Sequence, residues 1–403
     1  MTITIATPTA AGSRWPALFD WGFRTFFLAA SLWAALAMAL WIGLLAGWLA
    51  LPIAFDPPAW HAHEFLFGYL SAVIAGFLLT AVPNWTGRPR LRGWPLMALA
   101  ALWLAGRVAV LVAAGLPALL VALIDLAMPL ALATFIAREI IAAGNNRNLA
   151  VVAMLGLFIA GNALFHWQAA QGLAAASGHG LRLGLGAAVM LIAFIGGRII
   201  PAFTRNWLVT AKAGGVMPAA PMQRFDLVAL AGLGAGLLAW IVAPEGLPTA
   251  VLLALAGGLQ LARLARWQGQ RTTTEPLLCV LHIAYGFLPL GALTLAAEAA
   301  APGLIGGPAA LHLWMAGAIG LTTLAVMSRA TLGHSNQPLH AGPGTVMLYG
   351  ALVIAVLARL AAGAWPDAAM PLYQLAGASW IIAFAGFALG YGRLFLGQTE
   401  RAD

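Results

Sequence analysis

The stretch His61-Ala62-His63-Glu64-Phe65-Leu66-Phe67-Gly68-Tyr69-Leu70-Ser71-Ala72-Val73-Ile74 leads into a run that stays uncharged as far as Val82. An apolar segment of about 18 or more residues is long enough to cross a bilayer as a helix. Two imidazoles and a carboxylate at its mouth are costly to hold at membrane depth, and such groups mark functional sites. The stretch therefore predicts a spanning helix from about Trp60 to Val82 with a functional group where it begins. Asp56 is placed to cap that helix, and Pro57 suits its first turn. Further along, His312 opens a second apolar helix in the same manner.

The rest of the chain repeats the theme. Of its 403 residues, 62% are hydrophobic and 8% charged, against about 25% charged in a soluble domain. Apolar runs predict spans over residues 25–50, 60–82, 94–115, 116–141, 149–173, 180–201, 225–244, 247–267, 277–300, 307–329, 343–363 and 371–396. In lipid each backbone must satisfy itself, so each run is read as a helix. Strand-like alternation is absent, which argues against an outer-membrane barrel. The longest break lies between 201 and 225, too short for a separate domain, so residues 1–403 read as one all-α polytopic unit.

Charge orients the helices. With alternating spans, all of the 20 Lys and Arg fall at one face except Arg107, Arg182 and Arg359. Positive charge stays cytoplasmic, so both termini, with Arg14 and Arg401, are expected inside. The net charge of +8 is thus a topology signal and not a nucleic-acid one. The polar, short Met1–Ala10 segment predicts no cleavable signal peptide. The single Cys279 excludes internal disulfides and multi-thiolate metal sites.

Orientation gives each ionisable group a depth, at about 1.5 Å per helical residue. His61, His63, Glu64, Asp125, His166 and His312 fall in the outer half, while His282 and His334 fall near the inner face. Imidazole ligates haem iron, copper and zinc, and the lack of usable thiolates points to nitrogen and oxygen donors. Residues i and i+2 diverge by about 200° on a helix, so His61 and His63 are not expected to face one metal. His61 and Glu64, three apart, are expected to share a face. Arg107 and Asp125, at one depth on adjacent helices, form a candidate ion pair.

Aligning His63 with His312 places Gly68 on Gly317, Pro89 on Pro338 and Gly93 on Gly342 without a gap. The sixth span ends in a comparable polar segment, Arg198-Ile199-Ile200-Pro201-Ala202-Phe203-Thr204-Arg205. Second, sixth and tenth helices then suggest three parallel four-helix units. That symmetry would put His63 and His312 at equal depth around a common axis, an arrangement open to two axial ligands of one haem.

The chain resembles the NnrS family of bacterial membrane proteins across residues 20–340. The similar stretches are Gly22-Phe23-Arg24-Thr25-Phe26-Phe27-Leu28, His61-Ala62-His63-Glu64 through Pro83-Asn84-Trp85-Thr86-Gly87, Gly161-Asn162-Ala163-Leu164-Phe165-His166, Gly197-Arg198-Ile199-Ile200-Pro201 with Phe203-Thr204-Arg205-Asn206, Leu281-His282, and His312 through Ser328-Arg329-Ala330-Thr331-Leu332-Gly333-His334. The resemblance implies a haem- and copper-containing, multi-pass inner-membrane protein linked to nitric oxide metabolism and nitrosative stress, often in denitrifying bacteria. Where the family commonly reads Gly-His-Thr-Gly-Arg-Pro, this chain has Gly333-His334-Ser335-Asn336-Gln337-Pro338. The missing arginine weakens that loop as a propionate or anion site.

One reading is a redox enzyme that removes nitric oxide at an outer-half metal site. Here His63 and His312 hold a haem, expected to be b-type, with His61, His166 and Glu64 around a copper or second haem. His282 is a further candidate ligand, and Arg198 and Arg205 are candidates for propionates or lipid phosphates. Glu64 and Asp125 are the candidate proton carriers, and a quinol or a periplasmic cytochrome would supply electrons. A second reading keeps the same ligands but only binds nitric oxide or copper, for sensing or metal handling. A third, less favoured, is a transporter, since twelve spans with repeats suit one, but no charged substrate site lies at midplane.

Overall fold

A computed structural model describes residues 15–397; Arg14 and Arg401 lie outside the described residues. Among the described residues there is no strand. Twelve helices are long and apolar enough to cross a membrane: α1 Gly22–Leu45, α2 Pro57–Thr86, α3 Trp94–Leu111, α4 Ala118–Ala142, α5 Asn146–Ala170, α6 His179–Thr210, α7 Arg224–Val242, α8 Leu247–Ala265, α9 Pro276–Ala300, α10 Gly307–His334, α11 Pro343–Ala364 and α12 Pro366–Phe395. The protein is a multi-pass, all-helical membrane protein.

Sequential helices pack on one another, and α12 returns to pack against α1, so the bundle closes. Within it α2, α6 and α10 touch each other. α2 and α10 are the most enclosed of the spans. This is why the His-bearing segments are poor in surface-facing residues: both sides of each helix meet protein. Close approach is needed to pack so many helices, and small residues provide it. A Cβ on Gly161 of α5 would lie 2.5 Å from the Gly184 nitrogen of α6, so the two backbones meet there without side chains between them.

The loops gather at two ends. At one, Arg88 pairs with Glu139, Asn145 donates to the Trp85 carbonyl, and Arg198 donates to Asn148. At the other, Ala114 N–H donates to Pro52 and Gly246 N–H to Ala299. The arginine-rich loops share the first end, as the charge pattern predicts.

One feature accords with the repeat expectation. α2 has a π-helical segment at Glu64–Tyr69 and α10 one at Leu313–Leu321, each beginning one residue after the aligned histidine. π segments are rare and concentrate at functional sites. Arg107–Asp125 ties α3 to α4, and Arg263–Asp226 ties α8 to α7, but the arginine sits on the earlier helix of one pair and on the later helix of the other, so the two pairs are not repeat equivalents. The sixth helix has no π segment.

Candidate functional site

Asp56 starts α2 as expected: its carboxylate accepts from Ala59 N–H at 2.8 Å, with proline in the first turn. The helix then presents His61 and His63 to different neighbours. His61 lies flat against Trp41 of α1, ring centres 4.4 Å apart. It faces His312 of α10 with the rings 10° from parallel and 6.2 Å between centres. That gap is wider than the Trp41 contact, so the two imidazoles are opposed across space. Nδ1 of His312 donates to the Pro308 carbonyl at 2.5 Å, which leaves Nε2 as the atom with a lone pair. Nδ1 of His61 is buried with no hydrogen-bond partner.

Both rings line a cavity of about 490 Å³ between α1, α2, α10, α11 and α12. Its walls are mainly apolar, with Met38, Met315 and Trp380 among them. Arg359, whose guanidinium sits 4.9 Å over the Tyr373 ring, is the one Lys or Arg side chain lining it. Before α10, the Glu298 carboxylate accepts from the N–H groups of Gly303, Ile305 and Gly306 at 2.8, 3.0 and 3.1 Å. This fixes the turn that delivers His312.

His63 faces the other way, into α3, α4 and α5. Its Nδ1 meets Glu64 Oε1 at 3.0 Å, and its Nε2 meets Asn162 Oδ1 at 3.0 Å and Asp125 Oδ2 at 3.3 Å. Arg107 donates to Glu64 Oε1 at 2.5 Å and also to Asp125 Oδ1. Asp125 Oδ2 further accepts from Asn162 at 2.7 Å and meets His166 Nε2 at 3.1 Å. All six side chains are buried, Glu64 and His63 completely. Charges taken so far from water persist only when paired and hydrogen-bonded; every charge in this group is paired internally, although Glu64 Oε2 and Arg107 Nε have no hydrogen-bond partner. Gly68 leaves the space that the Arg107 guanidinium fills: a Cβ there would stand 2.9 Å from Glu64 Oε2.

The expected outer group is therefore two groups on opposite sides of α2. Pairing of His63 with His312 across one haem does not match this geometry; His61 is the imidazole opposite His312. Nor does Glu64 share a face with His61. The π segment begins at Glu64, and its carboxylate turns instead to His63 and Arg107. The expectation that His61 and His63 diverge does match. The Arg107–Asp125 pair is present, and Arg107 holds Glu64 as well.

The inner candidates lie apart from both groups. His282 donates from Nε2 to Thr204 Oγ1 at 2.9 Å, since that hydroxyl gives its own proton to Ile200 O. Its Nδ1 is buried without a partner. Arg198 lies on Asn148 and near the Trp85 and Phe194 rings, and Arg205 donates to the Pro218 carbonyl at 3.1 Å. Both arginines fasten inner-end segments. His334 packs beside Trp21 and Phe23.

Asn162 and Arg359 were not among the candidates from sequence. Both had a signal. Asn162 precedes His166 by four residues, one helical turn. Arg359 is one of three exceptions to the charge rule, and Arg107 is another.

The NnrS protein family model matches residues 17–398. The chain belongs to the NnrS family. Membership fits a nitric-oxide-related protein, and the match covers both imidazole groups. Comparison with curated proteins finds no match.

Proposed function

We propose that this chain is a haem-bearing protein of nitric oxide metabolism in a bacterial inner membrane, with the haem held between His61 and His312. The observation that supports it is two opposed imidazoles on one cavity, each with an unengaged ring nitrogen. A ligating histidine is typically oriented by its other N–H on a backbone carbonyl, as Pro308 does for His312. The cavity of about 490 Å³ is within the range of cofactor sites. Arg359, on the wall of the same cavity, would offer a cation to a carboxylate of the bound group. Bound there, haem would supply an iron centre able to exchange one electron, and nitric oxide would reach the iron only in place of one of the two imidazoles. The protein clamps His61 on Trp41, fixes the His312 tautomer, and surrounds the site with apolar side chains that exclude water.

Copper is the second group that the resemblance implies. His63, Asp125 and His166 bring ligand atoms within 4.8 Å of one another, and imidazole suits copper. Yet both nitrogens of His63 already face acceptor oxygens, and Asp125 is bonded to a guanidinium. A cation there would have to displace Arg107 or Asn162, so the donors as arranged do not fit, and no step is assigned to copper.

Reduction of two nitric oxide molecules to nitrous oxide and water takes two electrons and two protons. Arg107 holds both Glu64 and Asp125, so neither is a free carboxylate at the cavity. That arrangement favours binding or sensing of nitric oxide as the second reading. Purified wild type is expected to be coloured, with the haem spectrum lost or changed in His61→Ala and His312→Ala and kept in His63→Ala and His166→Ala. An unchanged spectrum in both of the first two variants would refute the ligand assignment. Nitric oxide consumption with a quinol or a cytochrome as donor separates turnover from binding.

A further inference from the structure

A second cavity, of about 90 Å³, lies between α2, α6, α9 and α10. Val73, Ala188, Leu281 and Val326 are among the apolar side chains that form it, and Thr322 and Thr323 are its only polar side chains. A buried water generally needs two to four polar partners, and apolar cavities stay dry. Thr323 Oγ1 is already engaged with the Tyr69 hydroxyl at 2.6 Å and with the Ile319 and Gly320 carbonyls at 2.8 Å. Thr322 Oγ1 is the one remaining group, 92% of that residue being enclosed, and it has no hydrogen-bond partner. One hydroxyl on an apolar wall does not hold water. It does suit a small neutral molecule with at most a weak acceptor.

The position adds a second argument. A pocket of about 50 Å³ continues from His61 and His312 down to Tyr69 and Ile319. Leu70, the next residue on α2, lines the 90 Å³ cavity, as do Thr322 and Thr323 one turn below Ile319 on α10. The Tyr69–Thr323 hydrogen bond thus stands between the imidazole side and the apolar side.

We propose that this cavity is a docking site for a small apolar gas, of the size of a diatomic, separated from the imidazole cavity by the Tyr69–Thr323 pair. Such gases dissolve in hydrocarbon, so a site deep among the spans is reached without crossing water. The docking site stands on its own geometry; only its connection to chemistry at His61 and His312 rests on the proposed haem.

Xenon is the probe. Crystals of the full-length protein pressurised with xenon are expected to show it in this cavity. Ala188→Leu is expected to abolish that binding. Gly196→Ala is expected to weaken it with little strain, because a Cβ there meets Tyr285 and Ile200 at the ordinary contacts of 3.4 and 3.5 Å. Thr322→Val is expected to retain xenon, as a dry site requires. Ordered water or a detergent chain in place of xenon would overturn the proposal, as would unchanged binding in both filling variants. His61→Ala protein is expected to bind xenon as wild type does, so failure of the haem assignment would leave this result readable.

Discussion

Arg107 shows how a single side chain decides what its neighbours can do. It sits at outer-half depth, against the rule that keeps positive charge at the inner face, and it is almost fully enclosed. Its two terminal nitrogens hold Glu64 and Asp125. These carboxylates were the candidate proton carriers from sequence; bound this way they are fixed counter-charges that also orient His63 and His166. Breaking a buried pair by removing one partner costs about 3–5 kcal/mol. Arg107→Leu is expected to destabilise the protein on that scale, seen as a lower melting temperature in detergent. Adding Glu64→Gln and Asp125→Asn to that variant should recover part of the loss. If Arg107→Leu melts like wild type, the cluster does not carry charge as described.

At the scale of elements, α2 works as a divider. His61 and His63 are too close in sequence to share a face, so one helix serves two groups that never meet. The following π segment then turns Glu64 toward Arg107 and away from His61. On the far side, Asn162 and His166 depend on how closely α5 approaches α6. That approach rests on Gly161, with Gly180 and Gly184 opposite. Gly161→Leu would force the helices apart, and overpacking of this kind costs about 1–3 kcal/mol. The expected outcome is reduced thermal stability together with loosened protection of the His63 and His166 ring protons by NMR, while the haem proposed at His61 and His312 is retained. Loss of haem in that variant with an undisturbed cluster would contradict the division of labour between the two faces of α2.

For the whole molecule, the charge pattern and the loop clustering give one orientation. Reporter fusions at the loops after α2 and α10 are expected on the cytoplasmic side, and a fusion at Gly303 outside. The reverse result would invert every depth assigned above and move the His61–His312 cavity to the inner half. Of the three exceptions to the charge rule, Arg182 donates to the Ser177 and Ile241 carbonyls, while Arg107 and Arg359 belong one to each imidazole group. An arginine on the wrong side of a membrane protein is expensive, so each is held by a specific local partner: Glu64 and Asp125 for one, the Tyr373 ring and the cavity for the other.

Local properties were readable from the chain alone. Run length and the cost of an unpaired backbone in lipid determine twelve helices, because each helix satisfies its own hydrogen bonds without reference to the others. Asp56 and Pro57 determine where α2 begins, since a cap needs only the next few residues. The depth of each histidine follows from counting along a helix. Which histidine meets which partner did not follow. His61 and His63 lie at nearly the same depth, and the choice between them depends on rotation of α2 about its axis. Packing against α1, α5 and α10 and the register shift of the π segment set that rotation. The sequence by itself determined the helices and the level of the site, because these are one-dimensional. The tertiary structure alone decided that His61 opposes His312 while His63 joins Asp125, because azimuth is fixed only by contacts between distant segments.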